Sequence, residues 1–300
     1  MHDLHATLTA YGLRPRALVS GKWIRCATDD HPKKRNGAYR ISDDGRMAWF
    51  KNWATDADFN IWNADGALSP AKALQAKADT DAARRREAEY RKTCITACRA
   101  YWSRLPMLRG VHPYLAAKQL DMLGCGQLRT DGELLAVPVM RDGQIMSVQT
   151  IAADGQKRFR TGCPVKGGVF VLERTGASLT CFVEGLATGL AVFSSLKQSR
   201  VVVCFDSGNL IEVAAHFQGN GLGIVCADND HETARRIGTN PGLDAARKAA
   251  NALGCGIAYP DGINGSDWAD AIVEREDARR WIARQILMKA KPFKFAEAVP

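Results

Sequence analysis

Between residues 179 and 259 the sequence alternates short apolar runs with helix-patterned stretches, and this alternation restricts the fold more than any other feature. Strands are predicted over 179–183, 200–205, 222–227 and 255–259, with helices over 187–197, 209–217 and 241–253. Continuous apolar strands separated by helices imply an α/β fold with parallel βαβ units and both sheet faces covered. Two of the strands end in acids: Cys181-Phe-Val-Glu184 and Gly223-Ile-Val-Cys-Ala-Asp228-Asn-Asp230. Ligands bind such sheets beyond the carboxyl ends of the strands, so Glu184, Asp228 and Asp230 are expected to share one crevice. Asp228 and Asp230 are two residues apart and point to one side of an extended segment. Carboxylates about 4 Å apart repel by roughly 4 kcal/mol at an effective dielectric of about 20. A cation relieves that repulsion, and ligands that are all oxygen suit Mg²⁺ or Mn²⁺.

The same residues carry a family resemblance. Glu184-Gly185 followed by Asp228-x-Asp230 resembles the signature of the Toprim domain, shared by DnaG-type primases, type IA and II topoisomerases and OLD-type nucleases. Leu134-Leu-Ala-Val-Pro138, Gly143-Gln-Ile-Met-Ser-Val-Gln149, Lys157-Arg-Phe159, Asn209-Leu210 and Asn240-Pro-Gly242 are similar to blocks in primases of plasmids, phages and integrative elements. The resemblance implies a DNA primase of a mobile element, making short primers from NTPs on single-stranded DNA by Mg²⁺- or Mn²⁺-dependent nucleotidyl transfer. It implies catalytic and metal-holding roles for Glu184, Asp228 and Asp230, with Glu184 either a ligand or a general base. It adds Asp267 as a further metal ligand, although Asp267 and Asp270 could equally occupy the first turn of a helix, where acids oppose the dipole. It places Lys157, Arg158 and Arg160 toward nucleotide or template. The sequence holds no Gly-x-x-x-x-Gly-Lys-Ser/Thr motif, so a separate helicase is the expected partner. Two other functions use the same residues: a Toprim nuclease, which would shorten DNA, and a non-catalytic nucleic-acid-binding replication factor, indifferent to chelators.

Five segments are expected. Residues 1–66 form a β-rich module in the place of a zinc ribbon but without its ligands, since Cys26 is its one cysteine and His31 cannot complete a four-ligand site alone. Lys33, Lys34 and Arg35 are its best template contacts. Its aromatics (Trp23, Tyr39, Trp49, Phe50, Trp53 and Trp62) either stack on bases or fill a small core. Residues 67–104 read as a helical linker beginning at Ser69-Pro70. Residues 105–177 read as a small antiparallel subdomain with strands over 134–139, 144–151 and 168–172. The Toprim domain spans 178–262, and 263–300 is helical with a loose tail after Lys291.

Composition narrows the partners. A net charge of +9 favours a polyanion. No charge-free apolar run approaches eighteen residues, and the first residues lack a signal-peptide layout, so a cytosolic location is expected. Nine cysteines, several inside apolar strands, read as reduced core thiols.

Overall fold

The computed structural model describes residues 4–56, 58–64, 70–120 and 127–294, with backbone alone for 70–80. Ser69, the expected helix cap, lies outside the described residues. The chain divides into two units, Met1–Arg86 and Glu87–Pro300.

In the first unit, helix α1 (Leu4–Ala10) precedes strands β1 (Leu13–Arg14), β2 (Trp23–Thr28), β3 (Gly37–Ile41), β4 (Met47–Asn52) and β5 (Asn60–Asn63). They form an antiparallel meander in chain order. The turn between β3 and β4 places Gly45 at φ 68°, a conformation that favours glycine. Leu8, Leu13, Tyr39, Ala48 and Phe50 make the core, and Cys26 is buried among them. Burial pushes the Cys26 thiol pKa up.

Helix α2 (Pro70–Arg104) contains the boundary between the units. Its last turns are more than a linker. Cys98 is buried against Ala136 and Val148, with Tyr101 and Trp102 packed beside it. The Arg129 guanidinium donates to the Trp102 carbonyl oxygen (2.5 Å), and Arg99 donates to the Ile145 carbonyl oxygen (2.9 Å).

The second unit continues with helix α3 (Pro113–Ala117), capped by His112, and with β6 (Arg129–Asp131), β7 (Leu134–Arg141), β8 (Gln144–Ile151) and β9 (Lys157–Phe159). These four strands form one antiparallel sheet in chain order. Asp142 (φ 51°) and Gly143 (φ 72°) make the two-residue β7–β8 turn, whose type needs positive φ at both positions. The expected third strand of this subdomain belongs elsewhere. β10 (Phe170–Glu173) pairs antiparallel with β12 (Ser199–Val203), a strand of the following sheet, from Phe170↔Val203 to Glu173↔Arg200. A register shift between Val139 and Met140 frees Met140 to bridge Val169, and this leads β10 out of the first sheet.

The remaining elements are β11 (Leu179–Val183), α4 (Leu186–Ser195), β12 (Ser199–Val203), α5 (Ser207–His216), β13 (Leu222–Cys226), α6 (His231–Ile237), α7 (Pro241–Leu253), β14 (Gly256–Ala258), α8 (Trp268–Glu274), α9 (Ala278–Leu287) and β15 (Lys291–Pro292). The sheet order is β10-β12-β11-β13-β14, with the last four parallel and β15 added antiparallel to β13. Both faces are covered. Cys181, Val183, Val201, Val203, Ile224 and Cys226 face a core shared with α4, α8 and α9. Phe182, Val202 and Val225 face the opposite core, with α5 and α7. The segment after Lys291 is not loose as far as Lys294, because Phe293 packs on Phe182 and Phe217 (ring centroids 6.3 and 5.4 Å). Residues 295–300 lie outside the described residues.

Candidate active site

The chain runs from β11 to β12 on one side and then crosses to β13 on the other side of β11. The carboxyl ends of β11 and β13 therefore flank a topological switch point, where open α/β sheets leave a crevice. Val183 is paired with Cys226 in register. Glu184 follows the first of these residues directly and Asp228 lies two past the second, so both leave the sheet at this point. Asp206 ends the neighbouring β12 connection. Phe205 just before it sits at φ 74°, a costly conformation for a bulky residue. That bend lets Phe205 pack edge-on against Phe159 (5.8 Å) while Asp206 caps α5, its Oδ1 accepting from the Asn209 amide (2.8 Å).

Electrostatics bring the acids into one neighbourhood. The Asp228 carboxyl pKa lies well above the usual range, because partial burial strips it of water and because Asp267, Glu184 and Asp230 are close. Thr188 opposes this by donating its hydroxyl to Asp228 Oδ1 (3.0 Å). Burial also raises Glu184, with Asp230 and Asp206 adding to the shift and Lys157 and the Ser207 amide opposing it. Asp230 Oδ2 accepts the Gly242 amide (3.0 Å). A Cβ at Gly242 would meet the Asp228 carbonyl oxygen at 2.7 Å and Asp230 Oδ2 at 3.0 Å, so only glycine fits this approach. Asp267 and Asp270 form a capping box at the start of α8. Beside them the buried Trp268 indole donates to the Ala227 carbonyl oxygen (3.0 Å), fixing this corner next to Asp228.

Crowded carboxylates, with Asp228 and Glu184 raised in pKa and every donor an oxygen, have the chemistry that suits a hard divalent cation. Each acid is nonetheless turned onto a protein partner. Among the described residues no three His, Cys, Asp or Glu side chains are gathered tightly enough to hold a metal as they stand.

Residues 180–278, which include all of these acids, match the family model for the Toprim domain. This segment is a Toprim domain. Beyond it, the chain is 32% identical over 279 residues to a DNA primase TraC of Escherichia coli, covering 87% of this chain and 26% of that protein. A second DNA primase TraC of Escherichia coli is 32% identical over 160 residues, covering 49% of this chain and 11% of that one. The chain thus spans about a quarter, or less, of the length of these relatives. The primase fragment of the bacteriophage T7 primase-helicase protein superposes with a TM-score of 0.40 at 14% identity, covering 61% of this chain and 79% of that one.

The basic residues expected opposite the Toprim acids divide by strand parity. Lys157 faces them: its Nζ lies 3.6 Å from where a Gly185 Cβ would be, and its charge acts on Glu184. Phe159, two residues on, packs into the core on the same side. Arg158 has the opposite parity and is exposed. Arg160 turns away as well, its guanidinium 4.1 Å from the centroid of the Tyr101 ring. Lys33, Lys34 and Arg35 belong to the first unit. There they are exposed and, with Arg14, Arg16, Arg25 and Tyr39, line a groove of about 420 Å³.

Lys118 is the residue that sequence reasoning passed over. Its Nζ lies 3.4 Å from Asp267 Oδ2 and 3.3 Å from Asp270 Oδ1. Burial disfavours its charge, but the two aspartates outweigh this and leave its pKa raised. Tyr114 on α3 borders the same corner, and burial above all pushes its hydroxyl up to about 12. No local signal marks Lys118 in the sequence, since the acids that give it meaning lie 149 residues away or more.

Proposed function

We propose that this chain is the primase portion of a mobile-element replication protein, synthesising short primers from NTPs on single-stranded DNA. The observation that carries the reading is the convergence of Glu184, Asp228 and Asp230 at the switch point of a Toprim domain, with Lys157 facing them. The similarity to DNA primase TraC, spanning 87% of the chain, supports primer synthesis as the chemistry. A divalent ion bound there, Mg²⁺ or Mn²⁺, would neutralise the charge of the triphosphate and of the attacking sugar oxygen.

In this reading Asp228 and Asp230 are the principal ligands. Glu184, in the next strand connection, is either a third ligand or the base for the sugar hydroxyl. Asp267 lies at the edge of the crevice, outside this ligand set, with Lys118 already facing its Oδ2. The Lys157 ammonium compensates phosphate charge from the opposite side. Arg158 is exposed on the other strand parity, and with Arg160 it offers charge to template passing outside the crevice.

The first unit is proposed to hold template, in the place that a zinc ribbon would take. Lys33, Lys34 and Arg35 in the cationic groove would follow the phosphates. Trp23 and Trp53 are exposed and flank Phe59 (ring centroids 4.9 and 6.0 Å), with Lys51 Nζ 4.9 Å and the Arg25 guanidinium 5.4 Å from the Trp53 ring centroid. Rings and cations arranged in this way can stack on unpaired bases and screen their phosphates. Tyr39 and Phe50, by contrast, are buried core. A helicase acting with the chain would be a separate protein or a further part of a longer one. No described helix is long and apolar enough to cross a membrane.

The test is incubation with labelled NTPs, Mg²⁺ or Mn²⁺, and an unlabelled single-stranded template, with a parallel reaction using end-labelled template. Short labelled products lost in Asp228→Ala are expected. Template shortening without primers would replace this reading with a nuclease. Chelator-insensitive DNA binding with no product of either kind would leave a binding factor.

A further inference from the structure

We propose that Lys118 serves as a resident counter-cation for the Asp267–Asp270 corner and withholds Asp267 from a divalent ion bound by Glu184, Asp228 and Asp230. The inference rests on the metal-dependent reading above and deepens it. Lys118 follows α3, ahead of the Toprim domain, and reaches Asp267 and Asp270 across 149 and 152 residues of sequence. Its two contacts, at 3.4 and 3.3 Å, are longer than the 2.7–2.9 Å typical of a tight charge-assisted hydrogen bond. The ammonium is therefore shared between two carboxylates, as a bridging cation would be. Its side chain is only 25% exposed, so the pairing is not a loose surface contact.

The acids have few acceptor sites left. Asp267 Oδ1 accepts the Asp270 amide (2.8 Å), while Oδ2 is the oxygen facing Lys118. Asp270 Oδ2 accepts the Ser266 and Asp267 amides (2.9 and 3.1 Å), and its Oδ1 faces Lys118. Both oxygens of Asp267 are thus engaged, one by the cap and one by the lysine. A metal could recruit Asp267 only by displacing an ammonium already fixed there. Lys118 then acts as a positioning residue. It lowers the negative charge beside Asp228 without taking a place at Glu184, Asp228 or Asp230, and it restricts the crevice to the ion those three select.

Mn²⁺ uptake, followed through the electron paramagnetic resonance signal of the free ion, tests this in four chains: unsubstituted, Lys118→Met, Asp267→Asn and the double variant. Asparagine keeps the helix cap, so Asp267→Asn should fold. It should bind Mn²⁺ within about twofold of the unsubstituted chain, because an engaged carboxylate contributes little. Lys118→Met should bind about tenfold tighter, or take up an additional ion, because it removes one positive charge and frees one carboxylate oxygen. That gain should vanish in the double variant. Weaker Mn²⁺ binding by Asp267→Asn would overturn the proposal, since Asp267 would already be a ligand. So would a folded Lys118→Met, judged by its thermal melt, that gains nothing. If Lys118→Met does not fold, the Asp267→Asn result decides alone. An unsubstituted chain that takes up no Mn²⁺, indistinguishable from Asp228→Asn, counts against the metal reading itself; a gain in Lys118→Met would still support the role of Lys118 and its absence would still refute it.

Discussion

The acidic crevice of the Toprim domain and the cationic groove of the first unit hold charge in opposite ways. In the crevice Asp228 is half-buried and its neighbours share its sign, so its pKa rises well above the carboxylate range. In the groove Lys33, Lys34 and Arg35 are exposed, and Arg14 already pairs with Asp29 at 2.5 Å. Charges left in water are screened within a Debye length, about 10 Å at 0.1 M salt, and each contributes modestly. Charges taken out of water and set beside like charges store unfavourable energy that a counter-ion releases. The contrast implies a local, metal-sensitive chemistry for the crevice and a distributed, salt-sensitive binding for the groove.

The largest effect should come from the crevice. Asp228→Ala or Asp230→Ala should lower primer synthesis by at least about 10²–10³-fold, the scale of removing one group that stabilises transition-state charge. Binding of single-stranded DNA should stay within about twofold if, as proposed, the exposed cations of the first unit carry it. Gel analysis of primers together with fluorescence anisotropy on the same samples checks both halves. Synthesis and DNA affinity falling in parallel would break the division between the regions.

A middle-sized effect belongs to the groove. Replacing Lys33, Lys34 and Arg35 together by Ser should weaken DNA binding about tenfold at low salt and flatten the plot of log affinity against log salt by up to about 2–3 units, roughly one per phosphate contact. Anisotropy titrations at four salt concentrations measure that slope. An unchanged slope would remove these residues from the interface.

How far the sequence revealed these regions depended on the range of the interaction. The acids at Glu184, Asp228 and Asp230 were legible because strand period, strand ends and their spacing are all local. The Asp206 cap was legible for the same reason, and Asp267 with Asp270 three residues on was readable as a capping pair. The division of Lys157-Arg-Phe-Arg160 could also have been read, since an apolar Phe159 fixes the buried parity as odd and leaves Arg158 and Arg160 on the other side. β10 could not be assigned to its sheet, because its partner β12 begins 26 residues beyond its last residue and a bulge in β7 redirects it. α6 is not among the expected helices, because it has no buried residues and hence no apolar stripe. Lys118 stayed silent because a lysine after a short helix acquires meaning only from acids brought to it by the fold.

The smallest effect is on stability, and its sign separates the two regions most clearly. Asp228 and Glu184 have folded-state pKa values above their ordinary ones, through burial first and then through neighbouring acids. The folded chain therefore binds more protons than the unfolded chain between the ordinary value, near 4, and the raised one. Stability must fall as pH rises across that interval, and the loss is complete above the raised value. Asp270 works in the opposite sense. Burial raises its pKa, but amide hydrogen bonds and Lys118 outweigh that and leave it lowered, so a raw pH profile mixes both signs. Comparing the unsubstituted chain with Asp228→Asn isolates one acid, because the amide oxygen can still accept from Thr188. In chelator, Asp228→Asn should be more stable than the unsubstituted chain at pH 8, where the buried carboxylate is forced to ionise. The difference should shrink as pH approaches about 4, where the carboxylate regains its proton. Urea titrations at several pH values give the difference directly, and repeating them with Mn²⁺ should restore stability to the unsubstituted chain but not to the variant. No corresponding gain is expected when an exposed groove lysine is neutralised, because water already solvates it. A pH-independent difference for Asp228→Asn would mean that its carboxylate is as well solvated as the groove cations.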